Sequence, residues 1–228
     1  MNKTVWKGLA AGAMAACLLA TLSACGKGLT EKDAETYVKG HLDAAYLGVY
    51  DKAYIELVED MTESDAKEMH EDNVSGEAEY YLLDFLEIYY PTDEIIEQAA
   101  DVMEQIYAKS KYTVGTGSKT KDGDFVVEVT VSPLSLYDLL TDDDYFDALE
   151  EAGYDDAETE EEYAAVDAIY GPLILDLLED RLDDITYGKD QIIMVQMKLD
   201  DEGYYAPVET GLQKIDEVMI DYYGAYAD

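Results

Sequence analysis

The decisive stretch is FVVEVTV, residues 125–131, in which β-branched and aromatic residues alternate between two faces. Successive side chains of a strand point to opposite sides of a sheet, so the odd-numbered residues of this run share one apolar face. A second β-rich run, KYTVGT (111–116), precedes it, and KDGD (121–124) lies between them. Asp-Gly is a strong turn signal because glycine readily adopts positive φ. The sequence therefore predicts a β-hairpin here.

Helices and a second hairpin are predicted on either side of this hairpin. Apolar residues recur every three or four positions before it, as is typical of helices with one buried face. The predicted helices cover 30–48, 51–59, 62–70, a segment between Gly76 and Pro91, 92–107, a short stretch within 137–153, 159–182 with Pro172 kinking or breaking it, and a last helix after Pro207 that includes Tyr222. A strand at 191–199 returns at 204–206. This order predicts an α+β fold with helices on one face of a small antiparallel sheet of about four strands.

The first 25 residues predict export and lipid attachment. Lys3 and Lys7 form a basic start, residues 8–22 are mostly apolar, and small residues lead to Cys25. The apolar run is shorter than the roughly 20 residues that a membrane-spanning helix needs. We therefore expect residues 1–24 to be a lipoprotein signal peptide and Cys25 to carry diacylglycerol and a fatty acyl chain such as palmitate. The alternative is ordinary secretion with a fortuitous cysteine.

Charge and length limit the rest of the chain. Residues 25–29 are predicted to be a lipid-anchored tether and residues 30–228 a single acidic domain. Loss of Lys3 and Lys7 with the signal takes the formal charge from −38 to −40. Nucleic acid is excluded as a partner because phosphate binding needs clustered Lys and Arg. With Cys25 acylated, we expect no disulfide, and no cofactor beyond the lipid.

Several motifs resemble those of a known group of proteins. They are KEMHEDN (67–73), KYTVG (111–115), VEVTVSPL (127–134), TYG (186–188) and LDDEGYY (199–205). They are similar to motifs of small lipoproteins from Gram-positive bacteria that carry a domain of unknown function. The resemblance implies an extracytoplasmic lipoprotein, with a cystatin-like or NTF2-like arrangement of helices on a sheet as a fold-level analogy.

Tyrosine is the unusual residue of this composition. The chain has 21 tyrosines, all after the cleavage site, and its one tryptophan lies in the signal. Tyrosine has an apolar ring and a polar tip, so it suits both half-buried helix faces and ligand platforms. Three adjacent pairs are candidates for an exposed surface that binds an envelope protein or a glycan. These are Tyr89 and Tyr90, Tyr204 and Tyr205, and Tyr222 and Tyr223.

The catalytic and metal-binding motifs are incomplete. Ser64 and Lys67 have the Ser-x-x-Lys spacing of penicillin-interacting enzymes, but the companion Ser-Asp-Asn and Lys-Thr-Gly motifs are absent from the sequence. The two histidines, His41 and His70, are too few for a zinc site and are expected on helix surfaces. The run GTGSK (115–119) lacks P-loop spacing and is interpreted as a twisted or bulged strand end.

Acidic runs are the remaining candidates for metal binding. They lie at 142–144, 155–156 and 200–202, and none has the spacing of an EF-hand loop. We therefore assign no catalytic or metal-binding residue.

Two functions remain open. The favoured function is a non-catalytic binding or interaction module, lipid-anchored on the outer face of the cell membrane. The alternative is a cell-envelope hydrolase that uses paired carboxylates, or Ser64 with Lys67. An enzyme needs a pocket in which two such groups face each other with perturbed pKa values. A binding module needs an exposed tyrosine surface instead.

Overall fold

The computed structural model describes residues 28–200 and 204–227. The predicted signal peptide and Cys25 lie outside the described residues. The helices are α1 (Glu31–Leu47), α2 (Lys52–Leu57), α3 (Glu63–Tyr80), α4 (Asp93–Tyr107), α5 (Asp142–Ala152), α6 (Glu160–Asp180) and α7 (Glu209–Met219). The strands are β1 (Lys111–Val114), β2 (Ser118–Lys119), β3 (Phe125–Ser132), β4 (Leu134–Ser135), β5 (Thr186–Tyr187), β6 (Gln191–Leu199), β7 (Tyr205–Pro207) and β8 (Ile220–Asp221). The fold is therefore α+β.

The main sheet is antiparallel and is built around β3. Its order is β1-β3-β6-β7, and β2 pairs with β3 further along the same edge as β1. Val114 faces Val129 in the first pairing, and the turn between β2 and β3 contains Gly123 at φ +96°. The predicted hairpin is thus confirmed. In the glycine-rich run, residues 115–117 separate β1 from β2, and residues 118–119 form β2.

The core lies between this sheet and the helices. The odd-numbered side chains of β3, from Phe125 to Val131, are fully buried, and α1 and α7 pack against that strand. Helix α7 also lies against β6. A Cβ atom at Gly211 would come within 3.1 Å of the Met194 carbonyl oxygen, so glycine favours this close approach of α7 to β6. The helices therefore cover one face of the sheet, as the sequence predicts.

Side-chain caps explain where many of the helices begin. In each case a threonine hydroxyl accepts the hydrogen bond of a backbone N–H three residues later, and an acid at that position bonds back to the threonine N–H. These capping boxes pair Thr30 with Asp33, Thr62 with Asp65, Thr141 with Asp144, and Thr159 with Glu162. The threonine positions therefore fix the starts of α1, α3, α5 and α6.

Two helices continue where the sequence predicts an interruption. Helix α3 runs through Gly76 to Tyr80 and continues as a π-helical turn, Tyr81–Phe85, whereas two separate helices were expected. Packing of α3 against α1 and α4 outweighs the low helix propensity of glycine. Helix α6 is not broken at Pro172. The carbonyl that proline leaves without its usual partner belongs to Ala168, an exposed residue, so water can satisfy it.

A small second sheet was not predicted. Its order is β5-β4-β8, and β4 pairs in parallel with β8, which directly follows the last helix. Tyr222 was expected inside that helix but lies beyond β8. Strands of two residues carry too little periodicity to be recognised. In the part of the chain that the structure describes, no helix has both the length and the apolar character needed to cross a membrane.

Candidate functional site

The segment that carries Tyr89 and Tyr90 has an unusual backbone. After the π-helical turn, Glu87 adopts φ +56°, a left-handed conformation that costs a non-glycine residue about 1–2 kcal/mol. Ile88 is fully buried, and its N–H donates to the Leu82 carbonyl at 2.8 Å. Because Ile88 points inward, its neighbour Tyr89 points outward with 62% of its surface exposed. π-Helical turns and strained residues occur frequently at functional sites.

Helix α6 holds this segment in place through Asp167. The backbone N–H of Tyr90 donates to the Asp167 carboxylate at 2.8 Å. Asp167 is buried, and burial raises its pKa, although hydrogen bonds from the Tyr90 and Tyr89 N–H groups oppose the rise. The loop therefore has a fixed position relative to α6 rather than being tied only to α3.

Two further tyrosines lie near Tyr89. Tyr154, in a short 3₁₀ turn after α5, contacts Tyr163 of α6 with ring centroids 5.8 Å apart. They are 47% and 36% exposed. The Tyr90 N–H bonds to Asp167, which lies one helical turn after Tyr163 on α6, so the loop that carries Tyr89 lies beside the helix that carries Tyr163. Partial burial raises the pKa of Tyr89, and the nearby groups Glu87, Asp84, Tyr154 and Asp167 add to this effect. We call these three residues the tyrosine surface; the sequence pointed to Tyr89 but not to Tyr154 or Tyr163.

The second predicted pair, Tyr204 and Tyr205, belongs to the second hairpin. Tyr205 is buried with its ring 5.1 Å from Phe125, and its hydroxyl donates to the Gly123 carbonyl at 3.1 Å. Tyr204 is half-buried. Tyr205 therefore stabilises the turn of the first hairpin, and the prediction that it is exposed is corrected by its packing in the core.

The third predicted pair, Tyr222 and Tyr223, lies at the end of the chain. Tyr222 is buried, its ring centroid is 5.8 Å from that of Tyr81, and its hydroxyl donates to Glu77 at 2.5 Å. The expectation that it is exposed is therefore also corrected. Tyr223 is 64% exposed and contacts the ring of Phe85. The three pairs thus have contacts in different parts of the fold, and the Tyr223 hydroxyl lies 3.4 Å from that of the half-buried Tyr80.

Two half-buried carboxylates were not foreseen. Glu77 of α3 accepts hydrogen bonds from the Tyr107 and Tyr222 hydroxyls, at 3.0 and 2.5 Å. Asp216 of α7 accepts one from the Tyr46 hydroxyl at 3.2 Å. Burial raises the pKa of both, and the charge of Glu77 helps to raise that of Asp216 to about 7. In a sequence with 53 acids these two are inconspicuous; the signal for Glu77 is its place on the buried face of α3.

These carboxylates do not line the clefts found beside the helices. One cleft, of about 330 Å³, lies between β6 and α7 and includes Ile192, Met194 and Lys214. The other, of about 470 Å³, lies between α4 and α6 and includes Asp101 and Glu179. Because tyrosine hydroxyls already bond to Glu77, the arrangement is that of a structural network.

The Ser-x-x-Lys motif does not form a catalytic arrangement. Ser64 is exposed in the first turn of α3. Lys67 is also exposed, and its ammonium pairs with Glu71 at 3.0 Å. The lysine therefore faces along the helix surface toward a carboxylate rather than activating a serine in a pocket.

Both histidines are buried, which corrects the expectation that they lie on helix surfaces. His41 stacks on Tyr37 at 5.9 Å and lies 3.4 Å from the Tyr54 hydroxyl, and burial lowers its pKa to about 4. His70 uses Nδ1 to hydrogen-bond the Ala45 carbonyl at 2.9 Å. Carbonyls in the last turn of a helix have no partner within the helix, so His70 helps to cap the end of α1.

The acidic runs have structural neighbours or lie in solvent. Asp144 both caps α5 and forms a two-pronged ion pair with Arg181, with both N–O distances 2.6 Å. These bonds hold the pKa of Asp144 well below its usual value. Asp155 and Asp156 are exposed in the 3₁₀ turn, and the run 200–202 lies mostly outside the described residues. Among the described residues, no group of three or more potential ligands is placed to hold a metal ion.

The fold can be compared with known proteins. No protein-family model matches the chain, and no curated protein matches it. A similar solved structure is that of YcdA from Bacillus subtilis, a protein proposed to be a lipoprotein, with a TM-score of 0.55 and 16% identity. The alignment covers 83% of this chain and 56% of YcdA, so the chain spans little more than half the length of that protein. At this identity the similarity concerns the fold alone.

Proposed function

We propose that this protein is an extracytoplasmic lipoprotein, anchored to the cell membrane by a lipid on Cys25, that acts as a non-catalytic interaction module. The observation that carries the interaction role is the tyrosine surface, in which three exposed rings from separate segments are held beside a strained loop. Tyrosines supply a large contact area at a low entropy cost, which suits them to binding partners.

The fold begins a few residues after the proposed anchor. Leu29, four residues after Cys25, is already buried, and α1 begins at Glu31. The start of α1 contacts β2, since the backbone N–H of Lys119 donates to the Glu31 carboxylate at 3.2 Å. A short tether would therefore hold this end of the main sheet near the lipid headgroups. Two acyl chains suffice for durable attachment, whereas one gives only marginal binding.

The anchor is tested by comparing Cys25→Ser with Cys17→Ser after cell fractionation. Cys17 lies within the predicted signal, so its replacement is a matched control that leaves the acceptor cysteine intact. We expect wild type and the Cys17 variant in the membrane fraction, and the Cys25 variant in the soluble or secreted fraction. Equal membrane retention of the Cys25 variant would contradict lipid anchoring at this residue.

The interaction role is tested by photo-cross-linking from position 89 in intact envelopes. An adduct that forms at position 89 and not at a control tyrosine would support it.

The alternative function, an envelope hydrolase, has less support. The exposed Ser64 and the Lys67–Glu71 pair do not suit a serine nucleophile. The carboxylates with raised pKa, Glu77 and Asp216, accept tyrosine hydrogen bonds and do not line the clefts described above. An interaction module is therefore the better explanation of this structure.

A further inference from the structure

The segments that form the tyrosine surface contain many acids and no lysine or arginine. Residues 68–108 include Tyr89 and hold twelve Asp and Glu, while residues 122–180 include Tyr154 and Tyr163 and hold twenty. Neither segment contains a lysine or an arginine. Neither stretch can therefore place a lysine or arginine side chain over these rings.

Carboxylates lie directly beside the rings. Glu87 lies two residues before Tyr89, and the Asp167 carboxylate accepts the neighbouring Tyr90 N–H at 2.8 Å. Glu87 and Asp84 are exposed, and Asp155 and Asp156 follow Tyr154 in its turn and are exposed too. An aromatic ring face attracts a cation, and nearby carboxylates add to that attraction.

The same kind of contact is made elsewhere in this protein. The Lys111 ammonium lies 4.9 Å from the ring centroid of Tyr187, and the Lys119 ammonium lies 5.1 Å from that of Phe125. In both cases the lysine comes from the main sheet. The cation–π contacts among the described residues do not include Tyr89, Tyr154 or Tyr163, so these rings are open to a cation from another molecule.

We propose that the tyrosine surface binds a positively charged segment of a partner protein, with lysine or arginine side chains placed over Tyr89 and Tyr154. This rests on the proposed interaction function and names the class of partner. The rings are 62% and 47% exposed, and such an open surface suits a protein segment better than a small cation, which needs an enclosing cage. The net charge of −38 also attracts a basic partner from a distance.

The test measures binding of a fluorescent octapeptide of alternating arginine and glycine to the purified full-length mature protein. Fluorescence anisotropy is recorded at about 150 mM salt, where charges further apart than about 8 Å are largely screened. Tyr89→Ala and Tyr154→Ala leave the charge unchanged, and each is expected to weaken binding about two- to fivefold because each removes one ring. Tyr89→Phe keeps the ring and should bind within about twofold of wild type.

Matched controls separate this site from general attraction to an acidic protein. Tyr137→Ala removes an exposed tyrosine that lies beside Gly224 rather than in the tyrosine surface, and it is expected to leave binding unchanged. Glu87→Gln should weaken binding more than Glu68→Gln, which removes one exposed charge from α3. Circular dichroism checks that each variant is folded.

Several outcomes would overturn the proposal. If the tyrosine variants bind the peptide like wild type, the attraction is only that of net charge. If the peptide does not bind, but tetramethylammonium chloride changes the intrinsic tyrosine fluorescence of wild type more than that of Tyr89→Ala and sodium chloride does not, the ligand is a small quaternary cation. A cross-link from position 89 in envelopes, without peptide binding, would reject the basic ligand class and leave the interaction function standing. If neither the cross-link nor peptide binding is observed, both the ligand class and the interaction function are rejected.

Discussion

At the scale of single residues, Asp216 makes stability depend on pH. It accepts a hydrogen bond from Tyr46, while Glu77 and Glu217 place negative charge near it. Its pKa rises from 3.8 to about 7 on folding, so between these values the folded state binds more protons than the unfolded state. The free energy of unfolding therefore falls as pH rises through this interval, since ionisation of the half-buried group opposes folding.

Replacing Asp216 by Asn is expected to stabilise the protein at pH 8. The amide oxygen can still accept from Tyr46, but no charge is buried. We expect a gain of about 2–4 kcal/mol in the free energy of unfolding, because one pKa unit corresponds to about 1.4 kcal/mol. At pH 4 the gain should be small. Urea unfolding at both pH values measures this.

A control is needed because the whole chain is acidic and repels itself more as pH rises. Glu68→Gln removes one exposed charge and should change stability by less than about 0.5 kcal/mol at either pH. If the Asp216 and Glu68 variants showed the same pH dependence as wild type, the role assigned to Asp216 would be wrong.

At the scale of elements, α1 and α2 pack closely at Gly40. A Cβ atom at this position would lie 2.3 Å from Cβ of Tyr54, whose ring is fully buried. Glycine is unfavourable within a helix, so its presence in α1 reflects this packing rather than helix propensity.

Gly40→Ala is therefore expected to destabilise the protein although alanine is the better helix former. Overpacking typically costs about 1–3 kcal/mol, which outweighs a propensity gain of up to about 1 kcal/mol. Gly171→Ala in α6 is the matched comparison, because its Cβ would meet side-chain atoms of Ile95 at 3.0–3.4 Å, a much looser approach than the 2.3 Å at Gly40. Urea unfolding should show the larger loss for Gly40→Ala. A larger loss for Gly171→Ala would contradict this.

The elements show how far the sequence could predict the fold. The first hairpin was predictable because the alternation of residues 125–131 and the Asp-Gly turn point to the same structure. The continuation of α3 through Gly76 and of α6 through Pro172 was not predictable. Tertiary packing keeps the helix intact at Gly76, and exposure of Ala168 to water makes proline tolerable at position 172. The parallel pairing of β4 with β8 joins segments about 85 residues apart, and local patterns cannot reveal such contacts.

The site was predictable only in part for the same reason. Adjacent tyrosines marked the position of Tyr89, and that residue is exposed as expected. Tyr154 and Tyr163 join it through the folding of α5 and α6, which sequence spacing does not reveal. Tyr205 and Tyr222 look the same in sequence as Tyr89, but they fill the core next to Phe125 and Tyr81.

At the scale of the whole molecule, the charge of −38 is expected to make stability depend on salt. Acids greatly outnumber bases, so folding brings like charges together. Sodium chloride shortens the Debye length from about 30 Å at 0.01 M to about 10 Å at 0.1 M, which weakens this repulsion. The urea midpoint should therefore rise over this range at pH 8. A midpoint that falls would show that favourable ion pairs, such as Arg181 with Asp144, outweigh the repulsion.

The geometry of the chain also suggests how the molecule would be held. With the proposed anchor at Cys25, the fold would begin within six residues of the lipid, at α1, a helix about 25 Å long that starts beside β2. An acidic body held by its first helix would be repelled by an anionic bilayer surface and would remain open to partners on its other sides.

The most direct test of the account is photo-cross-linking from position 89 in intact envelopes. A photoreactive phenylalanine derivative replaces Tyr89 in the lipidated protein, and the same group at Tyr137 serves as the control. We expect a discrete protein adduct from position 89 that is absent from position 137 and weakened by Tyr154→Ala in the same chain. No adduct from position 89, or the same adducts from both positions, would contradict the claim that this surface binds a partner.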